Sequence, residues 1–140
     1  MYKKLFFLCV LFAVMESVFA DNNVTLEVNG VIIQGGSVYV AVYSNENDYK
    51  AETPFIKFIL DPVNSTITRN LELPNGEYVV SVFQDANSDG VLDTNFFGMP
   101  REPVGITNYN GRGIPGGFHK LKVPVNNYST RITVNMGSIR

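Results

Sequence analysis

Nine residues near the middle of the chain bring oxygen-bearing side chains together at alternating positions: Asp85-Ala86-Asn87-Ser88-Asp89-Gly90-Val91-Leu92-Asp93. Oxygens at the first, third and fifth places can face one centre, and a glycine at the sixth permits a sharp turn. A backbone carbonyl at the seventh adds a ligand, and an apolar residue at the eighth anchors the loop. This is the opening of a calcium-binding loop of the EF-hand kind. Asp85, Asn87, Asp89, Gly90, Val91 and Leu92 fill those places in order, and Asp93 stands at the ninth, which often binds through water. The twelfth place holds Phe96 instead of a bidentate glutamate. A Ca²⁺ site here is therefore completed by Asp93, Asn95, Glu102 or a remote carbonyl, with affinity in the weak extracellular class. The same residue types also close turns without any metal, by bonding their own backbone. Against that, three carboxylates within nine residues repel one another, and a cation relieves the repulsion.

Other chemistry is poorly provided for. His119 is the sole histidine, and the sole cysteine, Cys9, lies in the first twenty residues. Zinc and iron sites lack ligands, and a serine triad would have to pass through His119. No Gly-x-Ser-x-Gly elbow is present. A small hydrolase using Asp85, Glu102 or His119 is the alternative reading, since two opposed carboxylates can hydrolyse a glycoside. No spacing favours it, so the sequence predicts a non-enzymatic protein. Gly111-Arg112-Gly113 could cradle an anion through backbone amides and guanidinium, or simply turn the chain. Sequons at Asn23, Asn64 and Asn127 matter only in a eukaryotic secretory route.

Lys3 and Lys4 precede an apolar run from Leu5 to Val14, and Val18-Phe19-Ala20 ends in a small residue. That three-part plan predicts a secretory signal peptide over 1–20 and an exported chain, periplasmic or extracellular. The apolar run is shorter than the roughly 20 residues of a membrane span. Phe7-Leu8 before Cys9 makes a poor lipid-attachment box. Residues 21–140 then form one domain, large enough to bury a core without disulfides. Removing Lys3, Lys4 and Glu16 from eleven basic and thirteen acidic residues leaves nine and twelve. A net charge of about −3 argues against nucleic acid and anionic membrane surfaces as partners.

Short alternating runs follow, rich in Val, Ile, Tyr and Phe and separated by Gly, Pro, Asn and Asp. They predict strands over 24–28, 37–43, 55–60, 66–73, 77–84, 119–123 and 130–134. Pro74-Asn75-Gly76 suggests a tight turn joining the fourth and fifth as a hairpin, and 48–53 a brief helix or turn. The predicted architecture is an all-β antiparallel sandwich of about seven strands, immunoglobulin-like or transthyretin-like. Residues 87–117 form one long loop, ordered by its own Phe96, Phe97, Met99, Ile106, Tyr109 and Ile114.

The segment from Leu73-Pro74-Asn75-Gly76-Glu77-Tyr78 through Phe83-Gln84-Asp85 to Asn108, with 36–43 before it, resembles a family of exported bacterial proteins catalogued only as a domain of unknown function. The resemblance spans nearly all of the chain after the leader. It implies an exported β-sandwich with no established activity or ligand. The family's hallmark residues fall on Asp85, Asn87, Asp89, Gly90, Asp93, Asn95, Gly98, Pro100, Glu102, Gly105 and Asn108. After Phe118 the chain departs from it, with His119-Lys120 where relatives carry acidic or small residues. The expected role is a binding or structural module of the cell envelope, whose loop meets a protein, peptide or glycan partner.

Overall fold

The computed structural model describes residues 21–138, so the expected leader over 1–20 lies outside the described residues. Strand β1 (Asn22–Asn29) buries Val24, Leu26 and Val28 completely, one residue in two, as its alternation requires. β2 (Val38–Tyr43) does the same with Val38, Val40 and Val42. β3 (Ile56–Leu60), β4 (Thr66–Leu73), β5 (Gly76–Gln84), β6 (Val104–Ile106), β7 (Val123–Val125) and β8 (Arg131–Asn135) complete eight strands. Two short helices interrupt them, α1 (Glu46–Ala51) and α2 (Phe118–Leu121).

The strands form two sheets, ordered β4-β1-β8 and β3-β2-β5-β6, with β7 also paired to β5. Their inner faces meet in one apolar layer: β1, β4 and β8 bring Leu26, Leu71 and Ile132 against Val40, Val80 and Val82 of β2 and β5. Burying a valine or leucine completely is worth about 1.5–3 kcal/mol each, so this layer holds the sandwich together. A second apolar cluster lies on the outer face of the larger sheet. There Tyr43 and Val79 are covered by Phe118 and Leu121 of α2, with Tyr49 of α1 beside them.

Four features differ from the sequence-based expectation. The expected strand over 119–123 is a single helical turn followed by β7. Phe118 and Leu121 are three residues apart and both buried, a spacing that helix geometry puts on one face. The fourth and fifth strands are not a hairpin. β4 pairs with β1, and β5 pairs with β2 in the other sheet. Pro74-Asn75 is the crossover between layers, held where Asn22 Nδ2 donates to Leu73 O (3.0 Å) and Asn75 Oδ1 (2.9 Å), and the Tyr78 hydroxyl donates to Pro74 O (2.8 Å). One pair in the otherwise antiparallel fold, β1 with β8, is parallel. Finally, the long loop is divided by β6, which pairs with β5 and is bridged at Val104 to Gly137.

The end of β5 is where the fold prepares the site. Gln84 is fully buried, and its side-chain amide is saturated: Oε1 accepts from Ile32 N (2.9 Å), while Nε2 donates to Ile32 O (2.7 Å) and Gly36 O (2.9 Å). That clamp draws the connection between β1 and β2 against the strand end. Asp85 N then donates to Ser37 O at 2.9 Å. The approach is so close that a Cβ on Gly36 would sit 1.8 Å from Asp85 O, and Gly36 has φ +105°. Both space and backbone conformation demand glycine there. Gly36→Ala is expected to destabilise the domain by roughly 2–4 kcal/mol. A chemical-denaturation midpoint unchanged from wild type would show that the contact yields freely.

Candidate functional site

Asp85 follows directly from β5, and the chain returns through Glu102 before β6. Both carboxylates are buried, 2% and 5% exposed, and both are spent on backbone amides. Asp85 Oδ1 accepts from Asp89 N (3.2 Å) and Oδ2 from Gly90 N (2.8 Å). Glu102 Oε1 accepts from Ala86 N (2.9 Å) and Oε2 from Asp93 N (3.1 Å). Gly90 reaches its place with φ +77°, as the turn pattern requires. The two acids thus close the 85–93 segment from inside, one binding its own turn and the other tying its two ends.

The remaining donors of the sequence-derived site stand at the surface. Asn87 Nδ2 donates to Asp89 Oδ2 (3.2 Å) and to Asp93 Oδ2, so one neutral amide bridges two carboxylates. Asp89 Oδ1 accepts from Val91 N at 2.9 Å. Asp85, Asn87, Asp89 and Asp93 therefore belong to one hydrogen-bonded turn. Among the described residues, no three His, Cys, Asp or Glu side chains are gathered as a metal-holding group. The reason is local: the carboxylates of Asp85 and Glu102 face amides.

The charge of this turn is nevertheless unbalanced. Among the described residues, the ion pairs are Lys50–Glu46, His119–Glu46, Lys122–Glu77 and Arg131–Glu27, and none reaches the loop. The Asp93 carboxyl is pushed above its ordinary range, first by burial, then by the charges of Asp89 and Glu102.

Beyond the acidic turn, the loop is shaped by a second set of amide bonds. Asn95 Oδ1 accepts from Phe97 N (2.9 Å) and Met99 N (3.0 Å), and Gly98, at φ +76°, closes the tip. Thr94 bridges Pro100, and Arg101 N donates to Asp93 O at 2.8 Å. Past β6, Asn108 takes φ +54° and its Nδ2 donates to Lys122 O (2.8 Å). Gly105 lies so near β8 that a Cβ would sit 2.7 Å from Val134 Cγ1. The expectation that aromatics order the loop is overturned in part. Phe96 and Phe97 are 97% and 85% exposed and Ile114 is 89% exposed, so backbone bonding, not apolar packing, fixes the tip.

Phe97 and Ile114 border a trough on the outer face of the larger sheet. Ser81, Phe83 and Ile106 floor it, Tyr49 of α1 stands on one side, and Leu92 and Met99 of the loop stand on the other. Its volume is about 470 Å³. Tyr49 is held by an edge-on contact with Tyr43, 5.3 Å between centroids, and Phe83 by stacking on Tyr39 at 4.9 Å. Sequence reading missed this trough. The clue available was Tyr49, an aromatic residue in the predicted brief helix or turn over 48–53, where no strand alternation explains it.

The arrangement matches a family model over residues 26–133, described as an uncharacterised protein conserved in bacteria, DUF2141. The chain belongs to the DUF2141 family. No curated protein matches it, and no solved structure does. In this DUF2141 domain the eleven positions singled out by the sequence resemblance take part in loop construction: buried caps at Asp85 and Glu102, surface bridging at Asn87, Asp89 and Asp93, turns at Gly90, Asn95 and Gly98, and a bridge at Pro100. Gly105 and Asn108 serve close approach and a left-handed bend. His119 lies elsewhere, its Nε2 3.3 Å from Glu46 Oε2, so it ties α2 to α1. No helix among the described residues is long and apolar enough to cross a membrane.

The raised Asp93 carboxyl has a calculable sign. The folded state holds that proton more tightly than the unfolded chain does. Stability is therefore lost as pH rises through the ordinary carboxylate range to the raised folded value, and it stays lost at neutral pH. In chelator, Asp93→Asn should melt higher than wild type at pH 7, and the gain should fade below about pH 4. Equal melting at pH 7 would mean the charge is not resisting the fold.

Proposed function

We propose that this chain is an exported, non-enzymatic binding module of the cell envelope, in which the outer-face trough seats an apolar group and the acidic turn takes a calcium ion that stiffens the trough wall. The trough carries the reading. It is concave, mostly apolar, of ligand size, and built from five separate segments around a few polar groups, as small-molecule sites are. A strand row that merely faced water would have no need of Leu92 and Met99 folded over Phe83.

Calcium enters through charge. All the candidate donors are oxygens, which suits a hard cation and not zinc. Asp89, Asp93 and Asn87 offer surface oxygens next to two buried carboxylates, and among the described residues no cationic side chain is paired to any of them. In this reading the ion replaces the neutral amide that now bridges Asp89 and Asp93, and the Val91 carbonyl adds a backbone ligand. Because Asp85 and Glu102 are already committed to amides, affinity falls in the range of about 10⁻⁴–10⁻³ M. Such values suit an extracellular or periplasmic space and would be useless at cytosolic calcium.

The enzymatic alternative finds less support. Asp85 and Glu102 direct both oxygens at backbone amides, and His119 pairs with Glu46. A general acid or base needs a free face toward substrate.

A ligand bound only by the folded state stabilises by RT ln(1 + [L]/Kd), about 2.7 kcal/mol at a hundredfold excess. In about 10 mM calcium the domain should melt roughly 5–15 °C higher than in chelator. Asp89→Ala should abolish most of that difference. Superimposable melts with and without calcium would leave the turn as a self-sufficient hydrogen-bonded structure. For export, the protein recovered from the envelope should begin at Asp21 by mass spectrometry. An intact first residue on recovered envelope protein would count against cleavage.

A further inference from the structure

Of all the side chains that line the trough, Glu52 alone carries a charge, and no Lys, Arg or His lines it. Glu52 is the residue at which α1 ends, turned back by a left-handed backbone (φ +55°) so that its side chain belongs to the rim. Among the described residues it takes part in none of the ion pairs. The field of its carboxylate is felt inside the protein: after burial, it is the largest cause raising the Tyr43 phenol.

Three aromatic rings line the same cavity, those of Tyr49, Phe83 and Phe97. Two of them are fixed before any ligand arrives, Tyr49 by Tyr43 and Phe83 by Tyr39. The third, Phe97, is 85% exposed and in edge contact with Phe96 at 5.6 Å, free to cover what binds. Aromatic faces carry partial negative charge, and rings grouped with an unpaired carboxylate are the usual surroundings of an organic ammonium group. The remaining walls, Leu92, Met99 and Ile106, suit an alkyl chain. Sulfate or carboxylate heads would meet Glu52 with no cation to offset it.

We propose that the trough selects small amphiphiles whose head is an organic ammonium, with the head near Glu52 and the aromatic rings and the tail along Leu92, Met99 and Ile106. This rests on the reading of the trough as a ligand seat and adds the charge of the ligand to it. A cavity of about 470 Å³ accommodates a headgroup with a chain of around eight carbons.

The test uses three probes with one tail, octyltrimethylammonium, octyl glucoside and octyl sulfate, each below its micelle concentration and at moderate salt. Calorimetry gives affinity, and amide chemical shifts at Ser81, Phe83 and Ile106 report where the probe sits. Octyltrimethylammonium is expected to bind at least tenfold tighter than octyl sulfate, with the glucoside between them. Glu52→Gln should narrow the ammonium-to-glucoside ratio by about threefold to tenfold. Phe83→Leu should weaken all three probes. Equal affinity for the three heads, with shifts at the floor residues, would overturn the charge selection while keeping an apolar seat. Absence of binding by any of them would overturn both. Ammonium binding that shifts only Asp89 and Asp93 would place the cation on the acidic turn and refute a Glu52 site.

Discussion

Two buried carboxylates that answer backbone amides, instead of cationic side chains, are the constraint on which the rest of this structure depends. A carboxylate taken out of water is costly unless its oxygens are hydrogen-bonded. Asp85 and Glu102 meet that demand with four N–H groups from Ala86, Asp89, Gly90 and Asp93. Those amides would otherwise be orphaned in a segment that has no ladder partner. Each acid therefore stabilises a stretch of irregular backbone and is stabilised by it. Charge-assisted bonds of this kind are about twice as strong as neutral ones, which is why a segment with so little apolar packing holds one conformation.

The same choice leaves the charge itself unneutralised. Backbone dipoles satisfy hydrogen bonding but bring no positive charge, so Asp93 feels the charges of Asp89 and Glu102 across a short distance. Asn87 softens the repulsion by placing its amide between the two outer acids. The raised Asp93 carboxyl shows that it does not remove it. A fold seeking stability alone would put Lys or Arg in that position. Four acids around one turn with no cationic partner among the described residues leave that repulsion standing in the fold.

Much of this was legible in the residues. Period-two alternation located six of the strands, because burial on one face of a sheet forces it. The acidic motif marked a turn, since its side-chain oxygens and its glycine are what such a bend of irregular backbone requires. What failed did so for identifiable reasons. Pro74-Asn75-Gly76 has the composition of a hairpin turn, and only the long-range bonds of Asn22 and Tyr78 make it a crossover between sheets. β6 is three residues long, too short to show a period, and its pairing depends on Gly105 fitting against β8. Phe118 and Leu121 read equally as strand or helix until the outer cluster shows both buried. Phe96 and Phe97 suggested an apolar anchor, whereas the turn at Asn95 and Gly98 directs them to solvent.

The trough connects these findings. Its far wall is the loop whose base the two acids fix, so the conformation of the acidic turn sets how closely Leu92 and Met99 approach Phe83. Its near wall is α1, held by Tyr49 against Tyr43 and by the contact of Glu46 with His119 of α2. Neither wall belongs to the sandwich ladder, and neither adds to the inner core. A shape formed by two independent supports over one aromatic floor is adjustable from either side. Gln84 and Gly36 anchor the start of the acidic turn to the end of β5, so the loop departs from a fixed point of the sandwich. The acidic turn and the trough thus share one stretch of chain, because Leu92 lines the trough directly beside Asp93 of the turn.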